Sequence, residues 1–279
     1  MALRLGSVTA FQAANMNMTL PDQSTIASMS NVDWAWEFLR RNPDYKRDYR
    51  LSRARLLKIT NHTLRTSFIR IRRQCPLGKK WGLIFMCDPE LSHEQACVAW
   101  RKDCIGWSIK VTAEPKNSLG DKAEFDLKTA RFDKAFVVIR TNRQCLYMRI
   151  GLYSSCLDIS GISVLTQPVG MQFIVNSIDQ IQNVIPVLQG VLSAASGAAK
   201  PKQIRIPEQT KIRRLHYLIA ADNAIKDALL REIAVEIFGK NRTANEWKNP
   251  ESRAFKDKIK RAKRRGLSLM QGEYRKLLH

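Results

Sequence analysis

The chain has 279 residues, with 47 Lys or Arg against 25 Asp or Glu, a formal charge of +22. That length holds roughly two domains, and so large a surplus selects a polyanionic partner, nucleic acid first and an anionic membrane surface second. The cysteines (Cys75, Cys87, Cys97, Cys104, Cys145, Cys156) form no C-x-x-C pair and have no histidine at ligand spacing, which argues against a zinc module or disulfide framework and for a reduced, cytoplasmic protein.

Residues 1–30 mix polar and small residues without the apolar core of a secretory signal, and read as a disordered tail. From Asp33 the chain reads DWAWEFLRRNPDYKRDYR, and residues 31–75 are expected to form a helical unit. Asp33 serves as a cap, Trp34 and Phe38 recur at i, i+4, Pro43 sits at a helical first turn, and Tyr45 and Tyr49 repeat the spacing. Aromatics beside Arg40, Arg41, Lys46 and Arg47 could stack on bases. The spacing of a buried helix face favours packing against the rest of the protein instead.

Residues 76–192 are expected to form an α+β region. WGLIFMCDP, ACVAW, WSIKVTAEP, FDKAFVVIR and CLYMRIGLY are short runs rich in β-branched and aromatic residues, broken by Pro, Gly, Asp and Asn, and they predict a small, mostly antiparallel sheet. A helix follows over 177–193, with Ile178, Ile181, Ile185, Leu188 and Leu192 on one face and Pro186 kinking or shortening it. The most apolar segment, residues 184–199, is interrupted by Pro186 and Gln189 and falls short of the roughly 20 residues that span a bilayer. No transmembrane helix is expected. SAASGAAKPK, residues 193–202, reads as a linker.

Residues 203–279 predict three helices. The first carries Ile212, Leu215 and Ile219 on one face; the second carries Leu229, Leu230, Ile233, Ala234 and Ile237 inward, with Asp227 as cap and Gly239 at its end. Ser252 caps the third, where Phe255, Ile259, Ala262, Gly266 and Leu269 recur at three- and four-residue steps. At 100° per residue, Arg253, Lys256, Lys260, Arg261 and Arg264 point away from that stripe, with Lys263 and Arg265 on its flanks. Between Arg253 and Arg265 the only acid is Asp257, whereas a merely solvated face mixes both signs. A one-sign face opposite a core stripe suits a recognition helix, because phosphates demand cations and Arg also reaches guanine O6 and N7. Helix-turn-helix units join their helices through three or four residues. Here KNRTANEWKNPE inserts twelve between Gly239 and Ser252, with Trp247 expected to pack the turn back and Arg242 and Lys248 to add backbone contacts at its edge.

The usual nucleotide, metalloprotease and hydrolase signatures are missing, and His62, His93, His216 and His279 read as structural or exposed. Asp44 and Asp48 share a helix face with Lys46, Arg47 and Arg50, which suits a salt-bridged surface better than acid-base chemistry. No enzyme, cofactor or metal is expected.

LLREIAVEIFG, EWKNPESRAFKDKIKRAKRRGLSLM and the closing GEYRKLL resemble an extended-turn helix-turn-helix domain of proteobacteria long catalogued as a domain of unknown function. WAWEFLRRNPDYKRDY resembles its usual N-terminal companion. Together they resemble FseA-type activators, transcriptional regulators of integrative and conjugative elements. The two blocks cover about 90 residues at the ends of the chain, and the middle is similar only through WGLIF, DP and a W-R strand end. The resemblance implies a transcription factor whose basic C-terminal face binds DNA at Arg253, Lys256, Lys260, Arg261, Arg264 and their neighbours. It also implies docking of that domain on the N-terminal one through Trp34, Trp36, Phe38, Tyr45 and Tyr49. Relatives with the C-terminal domain alone and an acidic face act as antiactivators; a basic chain with both parts matches the activator. One departure is Glu273, where relatives commonly carry Gly.

The expectation is therefore a sequence-specific DNA-binding regulator, an activator of excision and conjugative-transfer genes of a mobile element, acting in the bacterial cytoplasm at the nucleoid. Double-stranded promoter DNA is its partner, with RNA polymerase and an acidic single-domain antiactivator as further partners implied by the resemblance. The alternatives are an antiactivator that sequesters another transcription factor, a nucleic-acid enzyme such as a relaxase accessory or nuclease, or a nonspecific nucleic-acid binder. Binding as a dimer on paired half-sites and binding as a single chain both remain open.

Overall fold

The computed structural model describes residues 20–52, 57–61, 66–71, 75–115, 124–140, 143–178, 181–197, 206–249 and 253–279. The described chain begins with α1 (Gln23–Ser28), α2 (Asn31–Leu39) and α3 (Pro43–Leu51). The last part of the expected tail is thus structured: the Asp22 carboxylate accepts the Thr25 N–H, and Ile26 and Met29 are buried. Ser30, not Asp33, caps α2. Its hydroxyl oxygen accepts from the Asp33 N–H, and the Asp33 carboxylate accepts the Ser30 N–H at 2.8 Å, a reciprocal capping box. Asn42 caps α3, with Pro43 in the first turn.

Residues 57–61 and 66–70, expected to be helical, instead form β1 (Leu57–Asn61) and β2 (Thr66–Arg70) of the central sheet. After α4 (Pro76–Lys80) come β3 (Ser108–Glu114), β4 (Lys134–Arg140), β5 (Arg143–Ile150), β6 (Tyr153–Gly161) and β7 (Gly170–Ile174). The seven strands lie in the order β1-β2-β4-β5-β6-β3-β7. The β1/β2, β4/β5, β5/β6 and β3/β7 pairs are antiparallel, and β2/β4 and β3/β6 are parallel. The fold is α+β with a mostly antiparallel sheet, as expected.

Two expected strands are not strands. WGLIF and ACVAW meet through a single Leu83–Trp100 bridge, supported by the Ile84 N–H donating to the Ala99 carbonyl and the Arg101 N–H to the Gly82 carbonyl. Their apolar side chains satisfy burial without a ladder: Leu83, Phe85, Ala99 and Trp100 are all in the core.

Both faces of the sheet are covered, which is why β4 and β5 read as continuous apolar runs rather than alternating ones. Phe136, Val138, Cys145, Tyr147 and Cys156 pack with the N-terminal helices. Val137, Leu146, Met148, Leu157 and Ile159 pack on the other side with α5 (Ile181–Ser196). The inward face of α5 is Val184, Val187, Val191 and Ala194, one residue round from the expected stripe. Ile178 lies outside the helix and is 83% exposed, Ile181, Ile185 and Leu192 are exposed, and only Leu188 of that set packs on the core. Both stripes are apolar, and the one with the smaller side chains, Val184, Val187, Gly190, Val191 and Ala194, lies against the sheet. Pro186 sits inside α5, which continues to Ser196, so the first part of the expected linker is helical.

The C-terminal region holds α6 (Glu208–Ile225), α7 (Leu230–Phe238), α8 (Lys240–Lys248) and α9 (Arg253–Gln271), then a 3₁₀ turn at Glu273–Leu277. The insert expected as a long turn is therefore mostly helix, and the unit has four α-helices rather than three. Gly239, at φ 82°, makes the break between α7 and α8, a conformation that favours glycine. Trp247 packs the added helix onto a core of Ala220, Ile233, Ala234, Phe255, Ile259 and Ala262. Asp227 does not cap α7. It has φ 58°, and the Leu229 N–H donates to the Glu232 carboxylate at 2.7 Å instead. Ser252 lies outside the described residues.

The stripe on α9 is as the spacing predicts: Phe255, Ile259, Ala262, Gly266 and Leu269 are all buried. That on α6 is not. Ile212 is exposed and Leu215 only half-buried, while Leu218, Ile219, Ala220 and Ala221 are buried. The helix is sandwiched, Leu218 in the core with the N-terminal helices and Ala220 in the core with α7 and α9. Crossing of α6 and α9 depends on Gly266, where an added Cβ would lie 2.1 Å from the Tyr217 carbonyl oxygen. On α7, Ile233 and Ala234 are buried, Leu230 and Ile237 pack partly, and Leu229 is exposed.

Candidate nucleic-acid interface

Burying Phe255, Ile259, Ala262, Gly266 and Leu269 fixes the rotation of α9, and with it the direction of every cation on the helix. Arg253, Lys260, Arg261 and Arg264 are exposed on the far side. Over this stretch α9 advances roughly 18 Å, a length that lies within a major groove about 12 Å wide. Asp257 stands 4.0 Å from Lys260, too loose and too exposed to neutralise the face.

The flanks differ from the expectation. Lys256 and Lys263 are half-buried, and the Lys256 ammonium lies 5.5 Å from the Trp247 ring centroid. Arg265 is exposed but paired with Glu273, whose carboxylate also accepts from Lys276 and from the Ser268 hydroxyl. Hydrogen bonds from Lys276 and Ser268, with the Arg265 charge, hold the Glu273 carboxyl down at about 2. The residue that departs from the resembling family thus pins the last turn and restrains Arg265.

Sequence reasoning missed Lys258. It is exposed on the Arg265 flank, with its ammonium 5.0 Å from the Phe238 ring centroid, and the Arg242 guanidinium lies 5.2 Å from the same ring. Position around the helix could have found it, since the 100° step places it beside Arg265. Arg242 and Lys248 are exposed on α8, so the structure puts them on the helix beside α9 rather than on a loop.

The aromatic residues stand elsewhere. Trp34, Trp36, Phe38 and Tyr45 are buried and Tyr49 half-buried, in one core with Leu218, Leu269, Tyr274 and Leu278 from the C-terminal segments. They are closed to bases. Trp36 and Tyr45 meet edge to face at 5.8 Å, and Tyr45 meets Trp81 at 5.6 Å. The Asn42 amide donates to the Met270 carbonyl at 2.8 Å, and the Tyr274 hydroxyl to the Trp81 carbonyl at 2.9 Å.

A buried charge network reinforces this seam and was also missed. The Glu37 carboxylate accepts from Arg40 Nε at 2.7 Å, from Arg41, and from the His93 backbone N–H at 3.0 Å, with His93 Nδ1 at 3.1 Å. Arg41 Nε donates in turn to Asp222 on α6 at 2.9 Å. Burial pushes the Glu37 carboxyl up, but the His93 hydrogen bond and the Arg41 and Arg40 charges outweigh it and hold it well below the usual carboxylate range. The i, i+3, i+4 spacing of Glu37, Arg40 and Arg41 was the available signal. The cysteines of the described residues are free thiols, and none of the described helices is long and apolar enough to cross a membrane.

A basic helix rotated outward by its own core stripe is a nucleic-acid-binding arrangement. Residues 179–279 match the family model described as a T6SS transcription factor DNA-binding domain, and residues 20–86 match a proteobacterial transcriptional regulator-like domain. Comparison with curated proteins finds no match. The chain is accordingly a DNA-binding transcription regulator, with the basic helix inside the matched DNA-binding part.

Proposed function

We propose that the chain is a sequence-specific regulator that lays α9 in the major groove, Arg253, Lys260, Arg261 and Arg264 meeting phosphates and base edges while Arg242, Lys248 and Lys258 hold the flanking backbone. One observation carries this reading: α9 is cationic on a face that its buried stripe turns to solvent. Arg supplies the bidentate donor geometry that guanine O6 and N7 require. In this reading the chain acts by binding, without catalysis. The C-terminal helices are positioned by docking on Trp34, Trp36, Phe38 and Tyr45, with the shared core in support.

Activation, and a mobile-element promoter as target, rest on the resemblance to FseA-type regulators, as do contact with RNA polymerase and capture by an acidic antiactivator. The rival in which this chain sequesters another factor calls for an acidic or apolar face on α9. The test is a footprint of the full-length protein on DNA from upstream of its own genetic neighbourhood. The expected result is protection of one bounded site; protection spread evenly along the fragment overturns sequence-specific binding.

A further inference from the structure

Beneath α2, between its Val32 and Trp36 and the sheet residues Phe136 and Tyr147, lies a cavity of about 60 Å³. One water needs about 10–15 Å³ of such space, so about four would fit. Nucleotides and drug-sized ligands, which need roughly 300–1,000 Å³, are excluded.

The residues that line it carry more donors than acceptors without partners. Trp107 Nε1 and Arg149 Nε, both donors, are buried without a hydrogen-bond partner. Lys134 Nζ donates hydrogen bonds to the His93 and Ala96 carbonyls at 2.6 and 2.5 Å, which leaves one of its three donors over. Asp33 offsets Arg149, whose Nη1 lies 3.0 Å away, but its Oδ2 already accepts from Ser30 as well. Among the described residues no carboxylate pairs with Lys134, so the wall keeps an excess positive charge and spare donors. A ligand that only accepts, and carries an apolar end, matches these spare donors and the aromatic rings beside them.

We propose that this cavity binds a small aliphatic carboxylate, its oxygens meeting Trp107 Nε1 and Arg149 Nε and its chain lying against Trp36 and Phe136. Binding braces α2 against the sheet, and α2 also carries Glu37 and Trp34 into the core shared with the C-terminal helices.

The test is thermal unfolding and calorimetric titration of the full-length protein with sodium acetate, propionate and butyrate, against sodium chloride at equal ionic strength. At least one carboxylate is expected to give a saturable calorimetric isotherm and to raise the unfolding midpoint by roughly 2–3 °C per tenfold concentration above its dissociation constant. Trp107→Phe, which keeps a ring but removes the donor, is expected to weaken binding at least tenfold. If Trp107→Phe does not fold, Val98→Leu takes its place, since the added methylene occupies the cavity. The proposal is overturned if no carboxylate exceeds chloride, or if the folded variant binds as tightly as the parent.

Discussion

Reversing Lys260 and Arg264 to Glu together lowers DNA affinity about a hundredfold or more while the protein stays folded. Both side chains are exposed, opposite Phe255 and Ile259, so neither contributes to the core of the C-terminal helices. Each phosphate contact adds about 0.9 to the slope of log K against log salt, so losing two such contacts flattens the slope by nearly 2. Reversal also places carboxylates where phosphates must approach. Titration of a labelled duplex, with circular dichroism on the same samples, reads both halves of the expectation. Unchanged affinity in a folded variant removes α9 from the interface.

Replacing Glu37 by Ala destabilises the fold by about 3–5 kcal/mol, because it leaves Arg40 and Arg41 buried without their shared carboxylate. Both arginines are almost wholly buried, so water cannot take over the lost contacts. The same network sets an acid limit. The folded Glu37 carboxyl is held below its unfolded value of 4.5, so its contribution is complete above that pH and is lost as pH falls below it towards the folded value. Urea unfolding at neutral pH and at stepped lower pH measures both effects. A loss under 1 kcal/mol for Glu37→Ala at neutral pH would show that the network is dispensable.

How far the sequence could be read depended on how one-sided each element is. On α9 the apolar and cationic residues separate cleanly, so both its core stripe and its exposed face follow from spacing alone. On α5 two apolar stripes lie one residue apart, and the choice between them came from packing on the sheet, which takes the smaller Val184, Val187, Gly190 and Val191 side. On α6 both sides are buried against different partners, leaving no single stripe to find. Gly239 does end α7, but a second helix starts directly after it from a polar stretch whose one large anchor is Trp247. The local half of the Glu37 network was legible in its spacing, but the long-range half was beyond reach: His93 lies 56 residues from Glu37, and Asp222 lies 181 from Arg41. Only tertiary packing brings them together.

The aromatic residues near the N-terminus show burial and proposed function converging. Periodicity marks Trp34 with Phe38 and Tyr45 with Tyr49, the resemblance adds Trp36, and the structure supplies Leu218, Leu269 and Tyr274 to cover them. The same interior that seats the N-terminal helices also holds the base of α9, leaving its cationic side free.

The most direct test of the central claim is fluorescence anisotropy of the full-length protein on its upstream DNA and on a shuffled duplex, each across a salt series. The account predicts that one upstream fragment stays bound at salt that strips the shuffled duplex, because base-edge contacts persist when phosphate contacts weaken. If both duplexes bind alike and are released together, the charge of +22 acts through phosphates alone and α9 reads no sequence.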